Sequence, residues 1–114
     1  MSDIEKAYDF INFRTTIVNQ KHILVSQVEE RLTCHLNGGI FKAEPGFIAF
    51  IGDLISSGYE MAPIIDLNDN PILIEDLKGF KNMLLSCYVE TVQDYWNDWQ
   101  KIRTERDLKK IADV

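Results

Sequence analysis

The sequence has few cysteines and no long apolar run. Its 114 residues include only two cysteines, Cys34 and Cys87, far apart and in no CxxC arrangement. Small disulfide-bonded domains need a denser cysteine framework, so we expect both to be small core residues. The longest apolar run, residues 46–52, stops at Asp53 and falls well short of the roughly 18–20 residues of a membrane span. The sequence therefore predicts neither a disulfide scaffold nor a membrane protein.

Basic residues are also in short supply. There are 12 lysines and arginines against 18 aspartates and glutamates, which gives a net charge of −6. Neutralisation of phosphates drives most nucleic-acid affinity, so this balance argues against nucleic acid as the partner. The first residues are acidic and lack the apolar segment of a secretory signal. We expect a cytoplasmic protein with one domain over residues 1–114.

Apolar residues recur at helical spacing in both outer thirds of the chain. A repeat of seven predicts a long amphipathic helix over about 3–32, and three- and four-residue spacing predicts a second one over about 75–110. The simplest arrangement is an antiparallel helical hairpin of these two helices. The residues of the first stripe are Ile4, Ile11, Val18, Val25 and Leu32.

The middle of the chain changes period and carries turn residues. Asn37-Gly38 between short apolar runs predicts a hairpin over about 32–43, although Gly38 could instead cap a helix that continues to Asn37. An almost wholly apolar segment predicts a buried core helix over 46–57. A second hairpin is expected over 63–74, with an Asp/Asn-rich turn. The predicted class is α+β, mostly α.

One segment resembles half of a calcium loop. Asp66, Asn68 and Asn70 alternate as calcium ligands do, but the pattern then needs glycine at the sixth position and glutamate at the twelfth. Pro71 and Leu77 occupy these positions. Without the bidentate carboxylate, this segment is interpreted as a polar hairpin turn.

No catalytic or metal-ligating set is apparent elsewhere. His22 and His35 are the only histidines, and zinc needs about four ligands with short local spacing. Adjacent Cys34 and His35 would point to opposite faces of a strand, which does not suit a ligand or nucleophile pair. We therefore expect no metal, no cofactor and no enzymatic activity.

Aromatic residues are concentrated in the last helix. Tyr88, Tyr95 and Trp99 share one face of about three turns, and Trp96 is rotated by about 100° from Tyr95. Trp and Tyr are favoured anchors of protein interfaces. We interpret Tyr88, Tyr95, Trp96, Trp99 and Ile102 as an interface, with packing against the first helix as the alternative.

Three segments carry a resemblance to a known group of proteins. They are Asn37-Gly38-Gly39-Ile40-Phe41, Asp66-Leu67-Asn68-Asp69-Asn70-Pro71-Ile72 and Tyr95-Trp96-Asn97-Asp98-Trp99-Gln100-Lys101. In their order along the chain they resemble small acidic accessory proteins of large contractile-tailed phages, T-even-like and cyanobacterial. The resemblance implies a non-enzymatic viral protein of particle assembly or host takeover, located in the host cytoplasm or the virion. It assigns no site residues.

The sequence thus favours a protein–protein interaction or assembly module, a viral structural or accessory protein. It would self-associate through its helical and aromatic surfaces, most simply as a homodimer. The alternative is a regulatory binder of a host or nucleic-acid-processing protein.

Overall fold

The computed structural model describes residues 3–112, without the side chains at positions 3, 5, 8, 10–15 and 105–112. Over these residues it has three helices and two antiparallel hairpins, which confirms the predicted α+β, mostly helical class. The elements are α1 (Asp3–Arg31), β1 (Thr33–Leu36), β2 (Gly39–Lys42), α2 (Pro45–Ser56), β3 (Ala62–Ile65), β4 (Pro71–Ile74) and α3 (Leu77–Ala112). Within this described part, no helix has an apolar stretch that could cross a bilayer.

The chain divides into two compact units. The helical unit comprises Met1–Val28 and Gln93–Val114, and the central unit comprises Glu29–Val92. The central unit therefore contains both hairpins, α2 and the first half of α3, whereas the helical unit is built from the outer parts of α1 and α3.

Three phenylalanines form the centre of the central unit. The Phe41 ring lies 5.9 Å from Phe47 in a stacked arrangement and 5.1 Å from Phe80 edge to face. Both are preferred geometries for aromatic pairs. Around them lie fully buried aliphatic side chains from α2, β4 and α3. These are Ile51, Ile74, Leu77 and Leu84.

The first hairpin has the turn that its sequence predicts. Asn37 and Gly38 both adopt positive φ, at 52° and 79°, as the tightest hairpin turns require. β1 and β2 pair in a register that sets Leu36 opposite Gly39. Because α1 ends at Arg31, the alternative of a helix continuing to Asn37 is wrong.

Gly39 allows the first hairpin to approach the second. A Cβ at this position would lie 2.7 Å from Ile72 Cγ1 and 2.9 Å from Phe41 Cε2. Real Cβ atoms do not come so close to carbon, so only glycine fits between β2 and β4. The absence of a side chain at one position thus sets the distance between the hairpins.

The Asp66 carboxylate organises the second turn. Its Oδ1 accepts hydrogen bonds from the backbone N–H groups of Asn68 and Asn70, both at 2.9 Å. Its Oδ2 accepts another from Ile40 N–H at 3.0 Å. These backbone hydrogen bonds lower the Asp66 pKa, since they stabilise the charged form. The segment that resembles half of a calcium loop is therefore a turn in which the Asp66 carboxylate accepts hydrogen bonds from backbone N–H groups.

Candidate interaction surfaces

The five predicted interface residues of α3 differ widely in exposure. Ile102 is buried at 7% exposure, Trp96 is 54% exposed, and Tyr88, Tyr95 and Trp99 are half-buried. Tyr88 belongs to the central unit and the other four belong to the helical unit. The sequence predicts all five as an interface, with Trp96 rotated by about 100° from Tyr95, and in the structure Trp96 is the most accessible of them.

Trp99 is partly covered within the helical unit. The Lys21 ammonium lies over the Trp99 ring at 5.6 Å from its centroid, within the range of a cation–π interaction. Trp96 precedes Trp99 by three residues, so the two rings project from neighbouring positions of α3. The Trp96 ring is consequently exposed, whereas the neighbouring Trp99 ring contacts Lys21.

Tyr88 lines a cleft in the central unit. The cleft has a volume of about 480 Å³ and lies between α2 and α3, bordered by Ile48, Asp53, Lys81 and Leu85 among others. Gly52 forms part of its wall, and a Cβ there would lie 3.4 Å from Lys81 Nζ. Tyr88 is thus a wall residue of this cleft, and its role is separate from that of Trp96.

The predicted apolar stripe of α1 remains largely exposed. Ile4 is 70% exposed, Val18 is 52% exposed and Val25 is 40% exposed. Leu32 is buried, but it follows the end of α1 and belongs to the central unit. The side chain of Ile11 lies outside the described residues. The stripe therefore presents apolar surface that is not buried by packing within the helical unit.

Sequence reasoning missed a second apolar surface, the outer face of β3 and β4. Pro63 lies opposite Leu73, and Ile65 lies opposite Pro71. All four side chains are exposed, and Ile65 reaches 67%. We call these four residues the apolar hairpin face. A hairpin with one solvated face normally carries polar residues on that face. The lack of alternating polar residues in these two strands was therefore the sequence signal for an exposed apolar surface.

The edges of this hairpin are poorly suited to strand addition. Pro63 and Pro71 have no N–H to donate to a further strand. The Leu73 carbonyl already accepts a hydrogen bond from Asn37 Nδ2 at 3.3 Å. A partner of this hairpin would therefore dock on its face.

The segments next to the apolar hairpin face in the sequence are acidic. Residues 43–77 contain seven acidic residues and no lysine, arginine or histidine. Glu60 precedes β3, Asp69 lies in the turn, and Glu75 and Asp76 follow β4, all of them exposed. Exposed acidic residues next to an apolar face favour a partner that carries basic residues.

The two cysteines meet in the central unit. Cys34 Sγ, on β1, lies 3.6 Å from Cys87 Sγ, on α3. Cys87 Sγ lies 3.2 Å from the Arg31 carbonyl oxygen, to which its thiol donates. Both thiols are free and half-buried, so the two cysteines that were expected to be small core residues are not fully enclosed. Burial raises the Cys34 pKa to about 11, because it disfavours the thiolate.

The histidines do not join the thiols in a ligand cluster. His22 and His35 are both exposed, on α1 and β1. Among the residues that the structure describes, no three His, Cys, Asp or Glu side chains converge as a metal site requires.

Comparison with known proteins adds no relative: no family model, no curated protein and no solved structure matches the chain.

Proposed function

We propose that this protein is a non-enzymatic interaction or assembly module that self-associates through α1 and α3. The observation that carries this proposal is the exposure of Trp96, at 54%, within a unit whose α1 stripe is also exposed. Tryptophan is the residue most often found at the energetic centre of interfaces. Closed two-fold pairs are the commonest oligomers, so the proposed form is a homodimer.

The proposed arrangement of α1 and α3 is an antiparallel pair. In the central unit, the Arg31 carbonyl at the end of α1 accepts from Cys87. In the helical unit, Lys21 lies over Trp99. Lys21 and Trp99 belong to the same unit, so this contact supports the pairing of the two helices there. Such a pair would present the α1 stripe and Trp96 from a stiff helical support.

The biological setting that we propose follows the phage resemblance. A small acidic module of this kind would serve particle assembly or host takeover, in the host cytoplasm or in the virion. Its net charge of −6 supports a protein partner over nucleic acid, since phosphates would be repelled.

Self-association is tested by light scattering after size exclusion, at two protein concentrations. We expect a dimer of the 13.2 kDa chain that dissociates on dilution. Trp96→Ala should weaken the dimer by about tenfold or more, as truncation of an interface anchor does. Tyr59→Ala is the matched control, because Tyr59 is an equally exposed aromatic residue at 56% in the central unit. A wild-type monomer at both concentrations would overturn the proposal.

The apolar hairpin face favours a second candidate function, the binding of another protein with a basic, partly apolar surface. Two copies of this chain would bring like-charged residues together, which disfavours self-association through this face. The proposed occupant is therefore a different protein rather than a second copy. This is the regulatory alternative that the acidic composition already allowed.

A fluorescent amphipathic peptide of leucine and lysine is a suitable probe for this face. We expect the peptide to bind wild type, and Ile65→Thr with Leu73→Thr to weaken binding about tenfold or more while leaving the oligomeric state unchanged. Threonine keeps the branched shape that strands favour, so the hairpin should persist. Val89→Thr is the control, since Val89 is exposed on α3 outside this face. Equal binding by the hairpin variant would exclude the face as the docking site.

A further inference from the structure

Two free thiols from distant parts of the sequence lie within contact distance. Cys34 and Cys87 are 53 positions apart, and their sulfurs are 3.6 Å apart. A disulfide bond is about 2.05 Å long, so a small side-chain movement would join them. We propose that Cys34 and Cys87 form a reversible disulfide, with a low-molecular-weight disulfide such as glutathione disulfide as the oxidant.

The exchange proceeds in two balanced steps. Cys87 loses its proton to solvent, and its thiolate attacks one sulfur of glutathione disulfide, which forms a mixed disulfide and releases one glutathione thiolate. Cys34 then loses its proton to solvent, and its thiolate attacks the Cys87 sulfur and releases the second glutathione. Both glutathione thiolates take up protons. Two protein thiols are thereby oxidised, and one glutathione disulfide is reduced to two glutathione molecules.

The geometry assigns different roles to the two cysteines. Thiolates, not thiols, are the nucleophiles in exchange, and burial keeps Cys34 protonated with a pKa of about 11. Cys34 also donates its S–H toward Cys87 Sγ. Cys87 is therefore the attacking sulfur, and Cys34 is the resolving sulfur that closes the intramolecular bond.

Oxidation changes the central unit in two places. The new bond ties β1 covalently to α3, and closing so long a loop restricts the unfolded chain. It also removes the Cys87 S–H that the Arg31 carbonyl accepts at the last residue of α1. The pair thus links the redox state of the surroundings to the end of α1.

Intact mass and thiol titration after incubation with glutathione disulfide test the proposal. Wild type should lose two hydrogens in mass, lose both titratable thiols and regain them with dithiothreitol. The closing step should accelerate as the pH rises from 7 to 9, since Cys34 must be deprotonated. The melting temperature should rise by about 5 °C or more on oxidation.

Single serine variants separate the roles of the two sulfurs. Cys34→Ser should stop at a mixed disulfide with one glutathione on Cys87. In Cys87→Ser, modification of Cys34 should be at least tenfold slower. Wild type that stops at a mixed disulfide, accepts two glutathiones or forms only intermolecular disulfides would overturn the proposal, and this readout requires no variant to fold.

Discussion

The Asp66 carboxylate holds the two hairpins together through Ile40. Its Oδ2 accepts a hydrogen bond from Ile40 N–H at 3.0 Å, and next to it Leu67 N–H donates to the Ile40 carbonyl at 2.8 Å. The turn after β3 thereby satisfies the outward backbone groups of Ile40 in β2. The two hairpins are separate sheets, and this side chain supplies part of the hydrogen bonding between them.

Replacement of Asp66 by asparagine should destabilise the protein although the two side chains have the same size. An asparagine NH₂ group in place of Oδ2 would face the Ile40 N–H, so one partly buried donor would lose its acceptor. We expect the melting temperature to fall by several degrees in thermal denaturation followed by circular dichroism. Asp69→Asn is the matched control in the same turn. Asp69 is exposed with a φ of 62°, a conformation that asparagine tolerates, so this control should stay near wild type.

The same carboxylate predicts how stability depends on pH. Backbone hydrogen bonds lower the Asp66 pKa below its ordinary value of 3.8. Because the folded pKa lies below the unfolded one, the contribution of Asp66 is complete above the unfolded pKa. It is lost as the pH falls through the lower folded value. Urea denaturation between pH 6 and pH 2 should show that the difference in free energy of unfolding between wild type and Asp66→Asn becomes smaller as the pH falls through that window. A gap that stays constant with pH would contradict this assignment.

Local patterns in the sequence predict the elements but not the surfaces that they form. Asn37 and Gly38 fix a tight turn through their own backbone preferences, so the first hairpin could be predicted. The stripe that includes Leu32 correctly predicts a long helix, yet Leu32 itself lies beyond its end, because a repeat of seven does not mark where tertiary packing takes over. The contact of Cys34 with Cys87 depends on how β1 meets α3, which no local pattern encodes.

The interface prediction shows the same limit within one helix. From the sequence, Tyr88, Trp96 and Ile102 of α3 are interpreted as parts of one interface. Exposure depends on what each side chain contacts. In the structure Tyr88 lines a cleft, the Trp96 ring is exposed and Ile102 is buried. The apolar hairpin face could have been found earlier, since neither of its strands contains a polar residue.

A side chain at Gly39 should lower the stability of the protein. Gly39→Ala would place a methyl group 2.7 Å from Ile72 Cγ1, and we expect a loss of about 1–3 kcal/mol in the free energy of unfolding, as for other overpacked sites. Gly46→Ala is the control, because nothing lies within 4 Å of a Cβ there. In the first turn of α2, alanine should leave stability unchanged or raise it by about 0.4–1 kcal/mol. Chemical denaturation of both variants would show whether the close approach of β2 and β4 is required.

Phe80 and Phe50 offer a comparison of one residue type in two environments. Phe80 is 3% exposed and packs edge to face on both Phe41 and Phe47, whereas Phe50 is 49% exposed on α2. Phe80→Ala should cost about 3–5 kcal/mol in unfolding free energy, because it leaves a cavity among the aromatic rings. Phe50→Ala should cost less than about 1 kcal/mol, since much of that ring is already in water. Urea denaturation measures both values. If Phe50→Ala lost as much stability as Phe80→Ala, the central unit would have to pack α2 differently from the arrangement described here.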